Sequence, residues 1–294
     1  MVGSMTRRAG LVALAGSMAS ACSPLSLFAT FTPKDAAKLR ERGAAYGALE
    51  RQALDVYAPK REDAPAPVAV FFYGGSWDSG RRQDYGWVGR ALAAQGFLTI
   101  VPDYRLYPAV RYPSFVEDGA LAVRWAVDHA VALGGDPGRI VLIGHSAGAY
   151  NAAMLALDDR YLQAAGVDPK AVRAFAGLSG PYDFLPIDGP ITRRTFGEAP
   201  DLPGTQPGLY ASPESPPAFL ATGDADTTVK PRNTRALAAA LRAKGATVEE
   251  RHYPGLNHAD TVLALSKPLR GKTPVLAEMV GFLKERVAHP LAPT

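Results

Sequence analysis

The chain has 294 residues, 47% hydrophobic and 20% charged, which excludes a disordered chain and suits one or two packed domains. Lys and Arg number 32 against 28 Asp and Glu, a net +4 with no basic block, and this argues against nucleic-acid binding. The single cysteine, Cys22, excludes an internal disulfide framework, and no Cys/His spacing suggests a zinc site.

In chain order, residues 1–22 read as an export signal. Arg7 and Arg8 precede an uncharged run of apolar and small residues from Ala9 to Ala21, too short to span a bilayer. Arg7-Arg8 is similar to a twin-arginine signal. Ala19-Ser20-Ala21-Cys22 resembles a bacterial lipobox, with Ala19 where Leu is usual. Export would make the protein periplasmic, or membrane-tethered through a lipidated Cys22; without the signal it would be cytoplasmic.

Residues 23–294 are expected to form one domain. Residues 33–42 read as a short amphipathic helix. Strands are predicted at 53–57, 68–73, 97–101, 139–143, 172–178, 218–221 and 247–253. Helices are predicted to end at 95 and to cover 115–133, 147–157, 233–244 and 275–288. The glycines and Pro137 of 134–138 break the pattern. Unbroken apolar strands separated by helices imply an α/β domain whose mostly parallel sheet is covered on both faces. Residues 185–217, rich in Pro and Gly, read as a long irregular insertion of the functional kind.

Gly144-His145-Ser146-Ala147-Gly148 lies between a predicted strand and a predicted helix. That is the setting in which Gly-x-Ser-x-Gly forms a nucleophile elbow, with Ser146 projected above the sheet from a strained turn. Outside it, the same pentapeptide is only a capping serine in a glycine-rich turn.

A serine hydroxyl needs a base to take its proton. In the chain order Ser, acid, His, the candidates for base are His252, His258 and His289. His252 lies inside a strand pattern and His289 in a Pro-rich tail, whereas His258 follows a strand in a loop. His129 and His145 come too early, and the His145 side chain should point away from the nucleophile. The acid is Asp226, or Asp224, which more readily ties its own turn. Oxyanion donors are expected from the N–H of Ala147 and from Gly74 or Gly75 in Tyr73-Gly74-Gly75-Ser76-Trp77.

These residues resemble the α/β-hydrolase fold, in particular carboxylesterases of the hormone-sensitive-lipase and feruloyl-esterase-like branches. The likeness covers roughly residues 50–285 and includes Asp103-Tyr104-Arg105-Leu106 with Pro113 and Asp118. Tyr73 replaces the family's histidine and Ser76 its third glycine. Leu178-Ser179-Gly180-Pro181-Tyr182-Asp183 and the Gly-Gly-x-Trp loop are also similar to kynurenine formamidases.

The resemblance implies a serine hydrolase of small carboxylic esters that uses Ser146, His258 and Asp226 and needs no metal or organic cofactor. Trp77, Tyr182 and the insertion would line the substrate pocket, although Trp77 reads equally as core. A formamide hydrolase and a catalytically inactive binding protein are the competing expectations. Nothing in the sequence specifies an oligomeric state.

Overall fold

The computed structural model describes residues 24–61 and 64–288. The export-signal residues, Cys22 and His289 lie outside the described residues. Helix α1 (Pro24–Phe31) is followed by strands β1 (Lys38–Ala45), β2 (Ala53–Ala58) and β3 (Ala66–Phe72). Next come α2 (Gly86–Ala94), β4 (Leu98–Pro102), α3 (Ser114–His129), β5 (Gly135–His145), α4 (Ala147–Leu157) and α5 (Asp159–Ala164). The chain continues through β6 (Val172–Leu178), α6 (Pro190–Phe196), β7 (Ala218–Gly223), α7 (Arg232–Ala243) and β8 (Val248–Tyr253). Helices α8 (Asp260–Leu263) and α9 (Val275–Arg286) complete it.

One eight-stranded sheet has the order β1-β2-β4-β3-β5-β6-β7-β8. β2 pairs antiparallel with β1 and β4, and every other pair is parallel. The parallel strands β3, β5, β6 and β7 are buried through most of their length, which explains their unbroken apolar sequences. This is the mostly parallel, doubly covered sheet expected above. Its strands β3, β5, β6, β7 and β8 run the same way, so Tyr73, Ser146, Ser179, Asp224 and Pro254 leave the same edge. That edge is where ligands gather in open α/β sheets.

Three expectations need correction. Residues 33–42 do not form a helix; they enter β1, an edge strand in which exposed Glu41 and register shifts at Leu39/Glu41 and Arg42/Ala44 break the period-2 signal. Charged side chains are usual on a sheet edge, where they oppose pairing with another chain. The helical stretch does stop before Gly134, which caps it at φ 83°, but β5 starts at Gly135 rather than at 139 and reaches β3 across a register shift at Pro67/Val68. Finally, the 185–217 insertion is not wholly irregular, since it holds α6 and two short 3-10 turns at Pro203–Thr205 and Pro207–Tyr210.

The insertion is anchored by its own side chains. Phe196 is buried among Trp77, Phe115, Tyr150 and Phe184. Arg194 pairs with Asp78, next to the Gly74-Gly75 loop. Among the described residues, no helix is long and apolar enough to cross a membrane.

Candidate active site

Ser146 sits between β5 and α4 with φ 54° and ψ −124°, a positive-φ conformation that a side-chain-bearing residue seldom adopts. Its N–H donates to the Leu178 carbonyl at 2.9 Å, which ties the elbow to β6. The glycines on either side are steric requirements. A Cβ on Gly144 would collide with the Gly148 carbonyl, and one on Gly148 with the Phe72 carbonyl.

Three expected residues meet here. Ser146 Oγ lies 2.8 Å from His258 Nε2, and His258 Nδ1 lies 2.8 Å from Asp226 Oδ2. The Asp226 side chain is fully buried, and its other oxygen accepts the N–H groups of Thr228 at 3.0 Å and Val229 at 2.8 Å. Burial pushes this carboxyl up, but bonds from His258 and the Val229 backbone outweigh it and hold it below the usual carboxylate range. Thus Asp226, rather than Asp224, ties the turn after β7. The Asp224 carboxylate is exposed, 3.7 Å from His252 Nδ1. His252 Nε2 lies 2.8 Å from Glu250, away from the serine, as a strand residue should.

The His145 side chain does not turn away from the site. It is buried, and its Nε2 lies 3.0 Å from the backbone carbonyl of His258. Burial, then the neighbouring His258 charge, push its pKa down to about 3. The sequence offered no reason to link this ring to a residue 113 positions away.

Gly74 is pressed against Ser146, since a Cβ there would stand 2.9 Å from Ser146 Cβ. The N–H groups of Gly75 and Ala147 donate to no other loop or cap among the described residues. Ser76 and Trp77 both have left-handed φ, 54° and 57°, which gives a physical reason for glycine at the first position in the resembling family.

Tyr73 supplies the loop's support. Its hydroxyl donates to Asp103 at 2.7 Å and accepts from Arg51 at 2.8 Å, while its carbonyl accepts from Tyr104 at 2.7 Å. Its ring stacks between Tyr85 and Tyr104, at 5.2 and 4.8 Å. In the same motif Arg105 pairs with buried Asp118 at 2.8 Å, so Asp118 anchors the loop after β4 rather than meeting substrate.

A cavity of about 260 Å³ opens at Ser146 and Ala147. Trp77, Phe184 and Val229 contribute apolar wall, and Asp183, Asp188, Lys230 and Arg232 bring charges of both signs. Trp77 is both wall and core: its indole N–H donates to Asn151 at 3.0 Å. Tyr182, by contrast, does not line this cavity. It is 98% buried, its ring filling the space left by Gly177 and Gly180, while its neighbours Pro181 and Asp183 face the cavity. A larger cavity of about 500 Å³ lies between α3, α5 and the insertion and holds none of the three aligned groups. Among the described residues, no cluster of three or more His, Asp or Glu could hold a metal ion.

The profile of the BD-FAE family matches residues 54–241, from β2 into α7. The chain belongs to the BD-FAE family. As a family member it is 32% identical over 256 residues to the carboxylesterase NlhH of Mycobacterium tuberculosis strain H37Rv, covering 79% of this chain and 78% of that protein. It is 31% identical to the isoprenylcysteine alpha-carbonyl methylesterase ICME of Arabidopsis thaliana, over 78% of this chain and 58% of the relative. The chain thus spans less than two thirds of that plant relative.

Two solved structures share the fold. A truncated carbohydrate esterase from gut microbiota superposes with TM-score 0.72 at 20% identity, covering 87% of this chain and 98% of that one. The butyrate-bound thermophilic esterase of Thermogutta terrifontis gives 0.69 at 23%, covering 88% and 96%.

Proposed function

We propose that this BD-FAE family member is a serine hydrolase of small carboxylic esters. The observation that carries the proposal is the line Ser146 Oγ–His258 Nε2 and His258 Nδ1–Asp226 Oδ2, 2.8 Å at each step, at the end of an apolar-walled cavity. The carboxylesterase and methylesterase relatives support the same reaction class.

In this mechanism His258 takes the hydroxyl proton as Ser146 Oγ attacks the ester carbonyl carbon. The charge on the tetrahedral oxygen is met by the N–H groups of Gly74 or Gly75 and of Ala147, the latter at the start of α4, where the helix dipole also favours an anion. His258 then protonates the departing alcohol, and the acyl group stays on Ser146. Water, deprotonated by His258, releases the carboxylic acid. Asp226 keeps the Nδ1–H tautomer of His258 and stabilises the imidazolium. A cavity of about 260 Å³ suits short acyl or alcohol groups rather than long chains.

A formamide hydrolase is the second reading. Lys230 and Arg232 beside Asp183 and Asp188 could take a carboxylate and an ammonium, the two ends of an amino-acid-bearing substrate such as N-formylkynurenine. Comparing kcat/KM for N-formylkynurenine with that for p-nitrophenyl acetate through hexanoate decides between them. Short esters are expected to be preferred. No turnover of either class would leave an inactive binding protein.

Export and lipidation at Cys22 belong to the same proposal, on the strength of Arg7-Arg8, the apolar run and Ala19-Ser20-Ala21-Cys22. Mass spectrometry of the mature N-terminus tests them. A diacylated Cys22 is expected, and an unmodified chain retaining Met1 or Met5 would exclude it.

A further inference from the structure

His145 is the buried imidazole that the proposed chemistry leaves unused. Two donors reach the His258 carbonyl: His145 Nε2 at 3.0 Å and Thr261 Oγ1 at 3.2 Å. Thr261 lies only three residues beyond His258, so its bond shapes the loop locally. His145, in contrast, precedes Ser146 and belongs to the rigid end of β5. Its bond therefore ties the base's backbone to the nucleophile's own strand.

The ring also abuts the oxyanion loop, since a Cβ on Gly74 would stand 3.0 Å from His145 Nδ1. Because the His258 carbonyl can only accept, Nε2 must carry the hydrogen and Nδ1 is left as an acceptor. That Nδ1 is buried with no partner among the described residues. An unsatisfied buried acceptor is a standing cost that ordinary core packing would remove.

We propose that His145 is a positioning residue that sets the His258 imidazole relative to Ser146 by holding the His258 carbonyl, with its ring wedged against Gly74. This rests on the serine-hydrolase reading. It acts on the transition state, because proton transfer from Oγ needs the imidazole at hydrogen-bond distance, whereas substrate binding in the cavity does not.

The test compares wild type, His145→Phe, His145→Gln and Ser146→Ala on p-nitrophenyl acetate, with folded content matched by circular dichroism. His145→Phe removes the donor and is expected to lower kcat roughly 10- to 100-fold while KM stays within about twofold. Gln can place an N–H near the position of Nε2 and is expected to recover to within about threefold of wild type. His145→Leu replaces Phe in the comparison if the larger ring prevents folding. A donor-free variant as fast as wild type overturns the proposal, as does a folded Gln variant as slow as the donor-free one. A drop expressed only in KM does so too. Failure of the underlying reading shows separately, as wild type no faster than Ser146→Ala.

Discussion

Gly148, at the start of α4, lies so close beneath Phe72 that any side chain there would drive into the Phe72 carbonyl oxygen. The contact presses the helix N-terminus against the end of β3, beside the loop that carries Gly74 and Gly75. Gly148→Ala is therefore expected to destabilise the fold by ~3 kcal/mol, the upper range for overpacking, and to cut esterase activity in whatever remains folded. Urea unfolding monitored by tryptophan fluorescence checks this, and a midpoint equal to wild type would contradict it.

Asp226→Asn should leave the turn intact, because one amide oxygen can still accept the Thr228 and Val229 N–H groups. The amide would present N–H to His258 Nδ1 and force the proton onto Nε2, where it can no longer accept from Ser146. A fall of roughly 10³- to 10⁴-fold in kcat/KM is expected, with little change in Tm. A loss below tenfold would assign the acid role elsewhere.

Acid sensitivity follows from two buried groups. Burial, then the His258 charge, push His145 down to about 3 from an ordinary 6.5, so the native state favours the neutral ring. The unfolded chain takes up that proton below pH ~6.5, so the contribution to stability is complete above this point and is lost as pH falls toward 3. Asp226 is held below its ordinary 3.8, and its contribution is present above that value and lost below it. Tm is expected to fall as pH drops from 6.5 to 4.5, and to fall less steeply in His145→Gln. A flat wild-type series, or equal slopes in both proteins, would count against a buried neutral His145.

Ser76 stands at φ 54°, where glycine has no steric penalty. Ser76→Gly should be neutral or stabilising by up to ~1 kcal/mol, whereas glycine at an ordinary φ costs about that much. Differential scanning calorimetry reads the sign; a Tm drop of several degrees would show that the Ser76 side chain offsets the strain.

Most of the sheet was legible because buried parallel strands carry continuous apolar residues: 172–178 coincides with β6, and the predicted helix 147–157 coincides with α4. The edge strand β1 was not, because Lys38, Arg40 and Arg42 are placed by the need to protect an edge rather than by burial. Ser146, Asp226 and His258 could be picked out since each stands just beyond a strand, in the order the chemistry needs. Tyr182 misled because an aromatic in a loop after a strand reads as pocket wall, and only the glycines at 177 and 180 reveal the hollow it fills. His145 was passed over because the bond that gives it a role runs to a backbone carbonyl, which no side-chain pattern records.

Whether Ser146 is the nucleophile is tested most directly by reaction with diethyl p-nitrophenyl phosphate, followed by peptide mass spectrometry. One diethyl phosphoryl group per chain is predicted on the peptide carrying Ser146, appearing in step with the loss of p-nitrophenyl acetate turnover and absent from Ser146→Ala. Full inactivation with Ser146 unmodified, or turnover that survives in Ser146→Ala, would contradict the triad mechanism.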